Sequence, residues 1–266
     1  MREENISLKH GQARQAVLFE EPGVRLRLVY YSPGAEVPDH QHDRCFLTLL
    51  LLGSMQETRD AERFEICAPF AAYMPAGMRH ANRYAPTGSL CLTVDFDPAL
   101  GGDLIGETSR LTGRAALTFD GFRHVGLAKA ILAGIERADR SAIRALANAL
   151  FETPRDAIAS PPVWLARARQ RLDGGEGAAS IEDVARQAGV HRVHLCRAFR
   201  RHYGLTPKSY SVNAMCARAV TEALAGGASL TQAAFDAGFC DPSHGAREMA
   251  KRTGFSPSAL ARWLAD

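Results

Sequence analysis

Val24, Leu26, Leu28 and Tyr30 alternate with Arg25, Arg27 and Val29, and the run stops at Pro33-Gly34. Successive side chains of an extended chain point to opposite faces, so this period of two predicts a half-buried strand closed by a turn. "FLTLLLLG" lacks the alternation and suits a strand buried on both faces. "FEICAPFAAYMPAG", "RHANRYAP" and "SLCLTVDFDP" follow at short spacing, each bounded by Pro, Gly or Asp. Several short strands with regular turns predict a β-sandwich or barrel.

The period changes near residue 120. Phe122, Val125, Ala128, Ile131, Leu132 and Ile135 form a helical stripe, and Ser141 is placed to cap a second segment carrying Ile143, Leu146, Ala147 and Leu150. Pro154, Pro161 and Pro162 then mark a stop and a new start. From Trp164 onward the pattern is helical. The expected class is α+β in two domains: a β domain over residues 1–118, a helical segment over 119–160 that links or dimerises, and an all-α domain over 161–266.

The last part contains a repeat. "VARQAGVHRVHLCRAFRRHYGLTPKSY" and "AAFDAGFCDPSHGAREMAKRTGFSPSAL" share a skeleton in which Gly189 corresponds to Gly238 and Gly204 to Gly254, so the second copy holds one extra residue. In the first copy Ser180 precedes Glu182 and Asp183, a good helix start. Val184, Ala185 and Ala188 give an apolar face, and small Ala185 permits close approach of a second helix. Gly189 supplies the left-handed turn. Leu195 and Phe199 anchor the second helix at i, i+4, which leaves Val193, Cys196, Arg197, Arg200 and Arg201 on its outer side. This is a helix-turn-helix with a basic edge, and two such units on a connecting helix can reach two successive major-groove segments roughly 34 Å apart. A generic helical hairpin with a solvated arginine face is the bland alternative for either unit taken singly.

Charge supports the nucleic-acid reading modestly. The net charge of +3 divides into −4 over residues 1–120, +2 over 121–160 and +5 over 161–266, so the basic third has a polyanion as its natural partner. The six cysteines include no C-x-x-C pair, which argues against a zinc ribbon or a disulfide framework. The N-terminal "MREENISLKHGQARQAV" is polar and carries acids, unlike a targeting peptide. "CFLTLLLLG" is far short of the roughly 20 apolar residues a membrane span needs. A soluble, cytoplasmic protein with no membrane partner is expected.

"GVHRVHLCRAFRRHYGLTPKSY", a helix with Arg218 and Leu224, "SLTQAAFDAGFCDPSH" and "TGFSPSALAR" together resemble the AraC/XylS family of bacterial transcription regulators, over roughly residues 162–264. The resemblance implies a seven-helix domain that places Val193, Cys196 and Arg197 against base edges in one groove and Ser243, His244, Ala246 and Arg247 in the next. It implies a homodimer on double-stranded DNA, a role as activator and contact with RNA polymerase, although the residues leave the direction of regulation open. One position departs from the pattern. Gly245 stands where a bulky apolar residue is usual, at the place of Leu195 in the first copy. A lost anchor and a looser second unit are therefore expected, contributing less to phosphate binding.

His40 and His42 lie one residue apart and would share a strand face. Gly34-x5-His40-x-His42-x10-Gly53 resembles the first motif of cupins, and Pro75, Gly77 and His80 in "PAGMRH" resemble the second. Cupins are small double-sheet barrels, so the resemblance implies that His40, His42 and His80 converge at the barrel mouth. Three neutral imidazoles suit a divalent transition metal such as zinc, nickel, copper or iron. Yet the glutamate expected shortly after His42 is replaced by Cys45, Phe46 and Leu47. The histidines are then expected as pocket groups that hold no metal, with Phe46 and Tyr73 beside them. The expected function is a DNA-binding transcription regulator, not an enzyme, controlled by a small-molecule effector of unknown identity and with no obligatory cofactor. The alternatives are a metal-dependent cupin enzyme with an appended helical domain, and a constitutive DNA-binding protein whose barrel only dimerises.

Overall fold

The computed structural model describes residues 13–99, 116–118, 161–173, 180–227 and 229–264. The strands are β1 (Ala13–Glu21), β2 (Val24–Tyr31), β3 (Glu36–His40), β4 (Cys45–Leu52), β5 (Ser54–Arg59), β6 (Glu62–Cys67), β7 (Phe70–Met74), β8 (His80–Tyr84), β9 (Ser89–Phe96) and β10 (Ala116–Thr118). They make two antiparallel sheets, one ordered β1-β2-β9-β4-β7-β10 and one ordered β3-β8-β5-β6. The chain passes from one sheet to the other after β2, β3, β4, β6, β7 and β8, which encloses a space between the sheets. Val37, Met55, Ile66 and Tyr84 from the small sheet meet Leu50, Phe70, Ala72 and Cys91 from the large one to form the core of that space.

Register decides which side chains face it. Cys91 opposes Val29 and Leu50, so Arg27 and Thr93, two residues along, also point inward. Arg27 meets Asp95 there at 3.1 Å. The apolar face of β2 (Val24, Leu26, Leu28 and Tyr30) therefore lies outside the barrel. It is nonetheless buried, in one cluster with Leu92, Val94, Ala217 and Val220. Alternation located the strand, but the face that looks polar in the sequence is the one that lines the barrel interior.

Seven helices occur among the described residues: α1 (Val163–Asp173), α2 (Ile181–Gln187), α3 (Arg192–Tyr203), α4 (Pro207–Gly226), α5 (Leu230–Asp236), α6 (Pro242–Thr253) and α7 (Pro257–Leu264). Helices α2 and α3 form one helix-turn-helix unit, α5 and α6 the second, and the 20-residue α4 joins them. None of the described helices is long and apolar enough to cross a membrane. The helical linking segment expected over 119–160 lies outside the described residues.

Candidate functional site

Each unit is built by caps and a glycine turn. Ser180 Oγ accepts the Asp183 N–H at 3.1 Å to start α2, and Gly189 turns the chain at φ +68°. His191, not singled out from the sequence, caps α3 by accepting the Val193 N–H on Nδ1 at 3.2 Å. A histidine is a rare cap, so propensity gives no signal for it. Leu195 and Phe199 are fully buried with Val184, Ala185 and Tyr203, as the i, i+4 spacing requires. In the second unit Ser229 caps α5, and Asp241 caps α6 by accepting the His244 N–H at 2.7 Å.

Packing thus fixes the outward faces. On α3, Val193, Arg197, Arg200 and Arg201 are exposed and Cys196 is half-buried. On α6, Ser243 and Arg247 are exposed, whereas Ala246 and His244 are half-buried. The His244 ring stands edge-on to Phe239 at 5.3 Å, so part of it belongs to the core of its own unit. Val193 is 48% exposed, a large apolar side chain held in solvent on α3.

The expected looseness of the second unit is not what the structure shows. Gly245 is buried, and a Cβ there would come within 2.9 Å of Ala234 Cβ and 3.3 Å of the Phe239 ring. The extra residue of the second copy falls between Gly238 and Asp241, and Phe239 takes the place of Val190. A large ring beside a glycine fills the volume that a valine and Leu195 fill in the first unit. Glu248 also has a structural use, since it pairs at 3.0 Å with the buried guanidinium of Arg252.

At the barrel, the three histidines converge as expected. One nitrogen from each of His40, His42 and His80 lies within 4.8 Å of the others. Nδ1 of His40 faces Pro38 O at 2.8 Å, and Nδ1 of His80 faces Met78 O at 3.3 Å. Each contact favours a proton on Nδ1 and leaves Nε2 free as a lone pair, the arrangement that orients metal-binding imidazoles. His40 Nε2 and His42 Nε2 are 3.0 Å apart. Burial, helped by His40, His80 and Arg27, pushes His42 down to about 3. Burial and His40 push His80 down to about 4. Both rings are then neutral at pH 7, the form a metal requires. The donor set therefore fits a transition metal without the missing glutamate. Phe46, one step past Cys45, packs its ring on His42 at 4.3 Å in place of a fourth ligand.

Tyr73 is the exception among the expected pocket residues. It pairs with Leu47, which pairs with Val94, so it sits on the outer face of the large sheet. There its hydroxyl reaches Cys45 Sγ at 3.5 Å. A one-residue step along β7 separates it from inward Ala72 and Met74, and sequence spacing alone did not resolve that step. Groups not foreseen take its place: Arg27, Thr93, Asp95, and Glu57, which is buried on β5 and pairs with Arg59 at 2.6 Å.

The depressed histidines make the barrel acid-sensitive. An unfolded histidine takes up a proton below about pH 6.5, whereas folded His42 and His80 resist until pH 4 or below, so stability falls as pH drops through that window. After discounting for partial exposure, the metal-free protein should lose about 2 kcal/mol between pH 7 and pH 5. Urea midpoints for the wild type and for His42→Asn with His80→Asn check this, and equal pH slopes would refute it.

Residues 184–262 match the family model described as a helix-turn-helix domain. Among solved structures, the AraC-like transcriptional activator CuxR is 13% identical, over 67% of this chain and 70% of its own, with a TM-score of 0.41. A cupin superfamily protein from Desulfitobacterium hafniense is 17% identical over 36% of this chain and 99% of its own, with a TM-score of 0.31. A conserved protein of unknown function from Streptococcus pyogenes is 23% identical over 34% and 78%, with a TM-score of 0.30. No curated protein matches the chain significantly. The protein joins a two-sheet antiparallel β domain to a helical domain in which residues 184–262 match a helix-turn-helix family model.

Proposed function

We propose that this protein is a sequence-specific regulator whose barrel binds a small-molecule effector and whose two helical units read consecutive major grooves. The observation that carries the reading is the pair of capped helices, α3 and α6, whose outward faces hold Arg197, Arg200, Arg201 and Arg247. In this reading residues 1–118 sense, 119–160 dimerise and 161–266 bind DNA, in the cytoplasm, with RNA polymerase as the further partner of an activator. The effector sits between the sheets near His40, His42, His80 and Phe46. A transition metal held by the three Nε2 atoms would supply a Lewis-acidic anchor for an oxygen-bearing effector. Effector binding regulates only if it favours one arrangement of the DNA-binding domains over another. The enzyme reading rests on the same histidines; the helical units, which it leaves without a role, favour the regulator.

Selection of duplexes from a random pool by the full chain, followed by salt-titrated binding, tests the proposal. Arg197→Ala should relax preference at about one base position, weakening the selected site by roughly 1–3 kcal/mol with little effect on random DNA. Arg200→Ala or Arg201→Ala should weaken all duplexes alike and reduce the salt slope by about one. Equal losses from Arg197→Ala on selected and random DNA would contradict this division.

A further inference from the structure

The barrel touches the helical domain at two points along α4, through side chains that no DNA contact requires. Asn213 is buried in the first half of α4 and holds the β4–β5 turn with both ends of its amide. Its Oδ1 accepts the Gly53 N–H at 2.8 Å and its Nδ2 donates to Leu51 O at 3.2 Å. Eight residues further, roughly 12 Å along the helix axis, Thr221 Oγ1 accepts the Tyr30 hydroxyl at 2.8 Å and donates to Thr87 O at 2.9 Å. A Cβ on Gly88 would come within 2.5 Å of Thr221 Oγ1, so a glycine is what lets this turn lie against the helix.

The flanking contacts divide between the two units. On the first, Arg169 of α1 donates to Ser54 Oγ at 3.4 Å and pairs with Glu65 at 3.0 Å, and barrel residue Cys67 belongs to the core cluster of α3. On the second, Arg14 of β1 donates to Leu224 O at 3.1 Å and Leu264 O at 3.4 Å, the carbonyls at the ends of α4 and α7. A cation at two helix C-termini is favourably placed.

We propose that the barrel braces α4, so that Asn213 and Thr221 are positioning residues that set the separation of the two recognition helices. A single helix of roughly 30 Å bends with small changes along its length. Pinned at two points to a rigid sheet, it holds α3 and α6 at one spacing. The brace rests on the regulator reading and adds a consequence to it: binding to two half-sites is cooperative through the barrel, whereas binding to one half-site ignores it. It also gives the effector a route outward, because the β4–β5 turn rests on Asn213 and the strands it joins carry Phe46 and Glu57 inside the barrel.

The test uses the full chain and a duplex it selects from a random pool, beside the same duplex with one half-site scrambled. Asn213→Ala and the near-isosteric Thr221→Val should bind the intact duplex five- to tenfold more weakly while keeping wild-type affinity for the half-scrambled one. Glu222→Gln, on an exposed position of α4, should leave both unchanged. Mere loss of folded protein lowers both affinities together, and that result would overturn the brace, as would unchanged ratios in both variants. A selection that yields no specific duplex would overturn the regulator reading itself, and the brace with it.

Discussion

Gly53→Ala should cost about 4 kcal/mol, whereas Gly34→Ala and Gly77→Ala should each cost only about 1–2 kcal/mol. All three glycines belong to the motif stretches that mark the barrel, and all three have positive φ, at +84°, +69° and +80°. The left-handed backbone is thus a shared penalty for any side chain. The difference lies in space. At Gly34 and Gly77 a Cβ would meet nothing within 4 Å. At Gly53 it would overlap the Gly88 carbonyl oxygen and come within 2.6 Å of Ser89 Oγ. The carbonyl is backbone of the neighbouring turn and does not swing aside as a flexible side chain would. Relief requires moving the β4–β5 turn, and with it the Gly53 N–H that Asn213 accepts. A loss of this size is a large share of the usual 5–15 kcal/mol of a folded domain. Denaturant midpoints of the three variants check the ranking, and similar losses at all three sites would refute it. Gly53→Ala should also reduce the preference for the intact duplex, since it disturbs one end of the brace.

Much of this was legible in the chain. The two histidines of "DHQHD" and the third in "PAGMRH" are separated by nearly 40 residues, yet their spacing from the glycines was enough to bring them together. Leu195, Phe199 and the cap Ser180 follow from helix period and capping chemistry. What was not legible depends on which side of an element carries the core. Leu26 and Leu28 mark one apolar face of a half-buried strand, but the outer face they occupy on the large sheet is covered as well, so both faces are buried. Sequence alternation reports that one face is more apolar and is silent on what covers it. Tyr73 went astray for the related reason that a single step in register exchanges faces. The interdomain contacts of Asn213, Thr221 and Arg169 were invisible because each residue type is ordinary in a helix. Their importance arises only from the turn that the barrel presents to them.

Gly245→Leu should destabilise the second helix-turn-helix unit by about 3 kcal/mol, although leucine matches the residue at the equivalent place in the first unit. On sequence grounds the substitution restores an anchor and raises helix propensity by about 1 kcal/mol, so stabilisation would be expected. The packing argues the reverse. Ala234 and Phe239 already occupy the space next to Gly245, and its Cβ alone would need both to give way by some tenths of an ångström. Three further carbons have nowhere to go unless the Phe239 ring leaves its site, and that ring is 2% exposed. Phe239→Ala by itself should cost roughly 3–5 kcal/mol by opening a cavity. In the double variant the leucine fills part of that cavity, so the combined loss should fall short of the sum by about 1–2 kcal/mol. Calorimetry of the two single variants and the double variant measures that coupling. A rise in melting temperature for Gly245→Leu alone, or strict additivity of the pair, would show that Phe239 does not fill the anchor position. The same change should weaken the intact selected duplex and spare one that keeps only the first half-site, because α3 and its core of Leu195, Phe199 and Tyr203 are untouched.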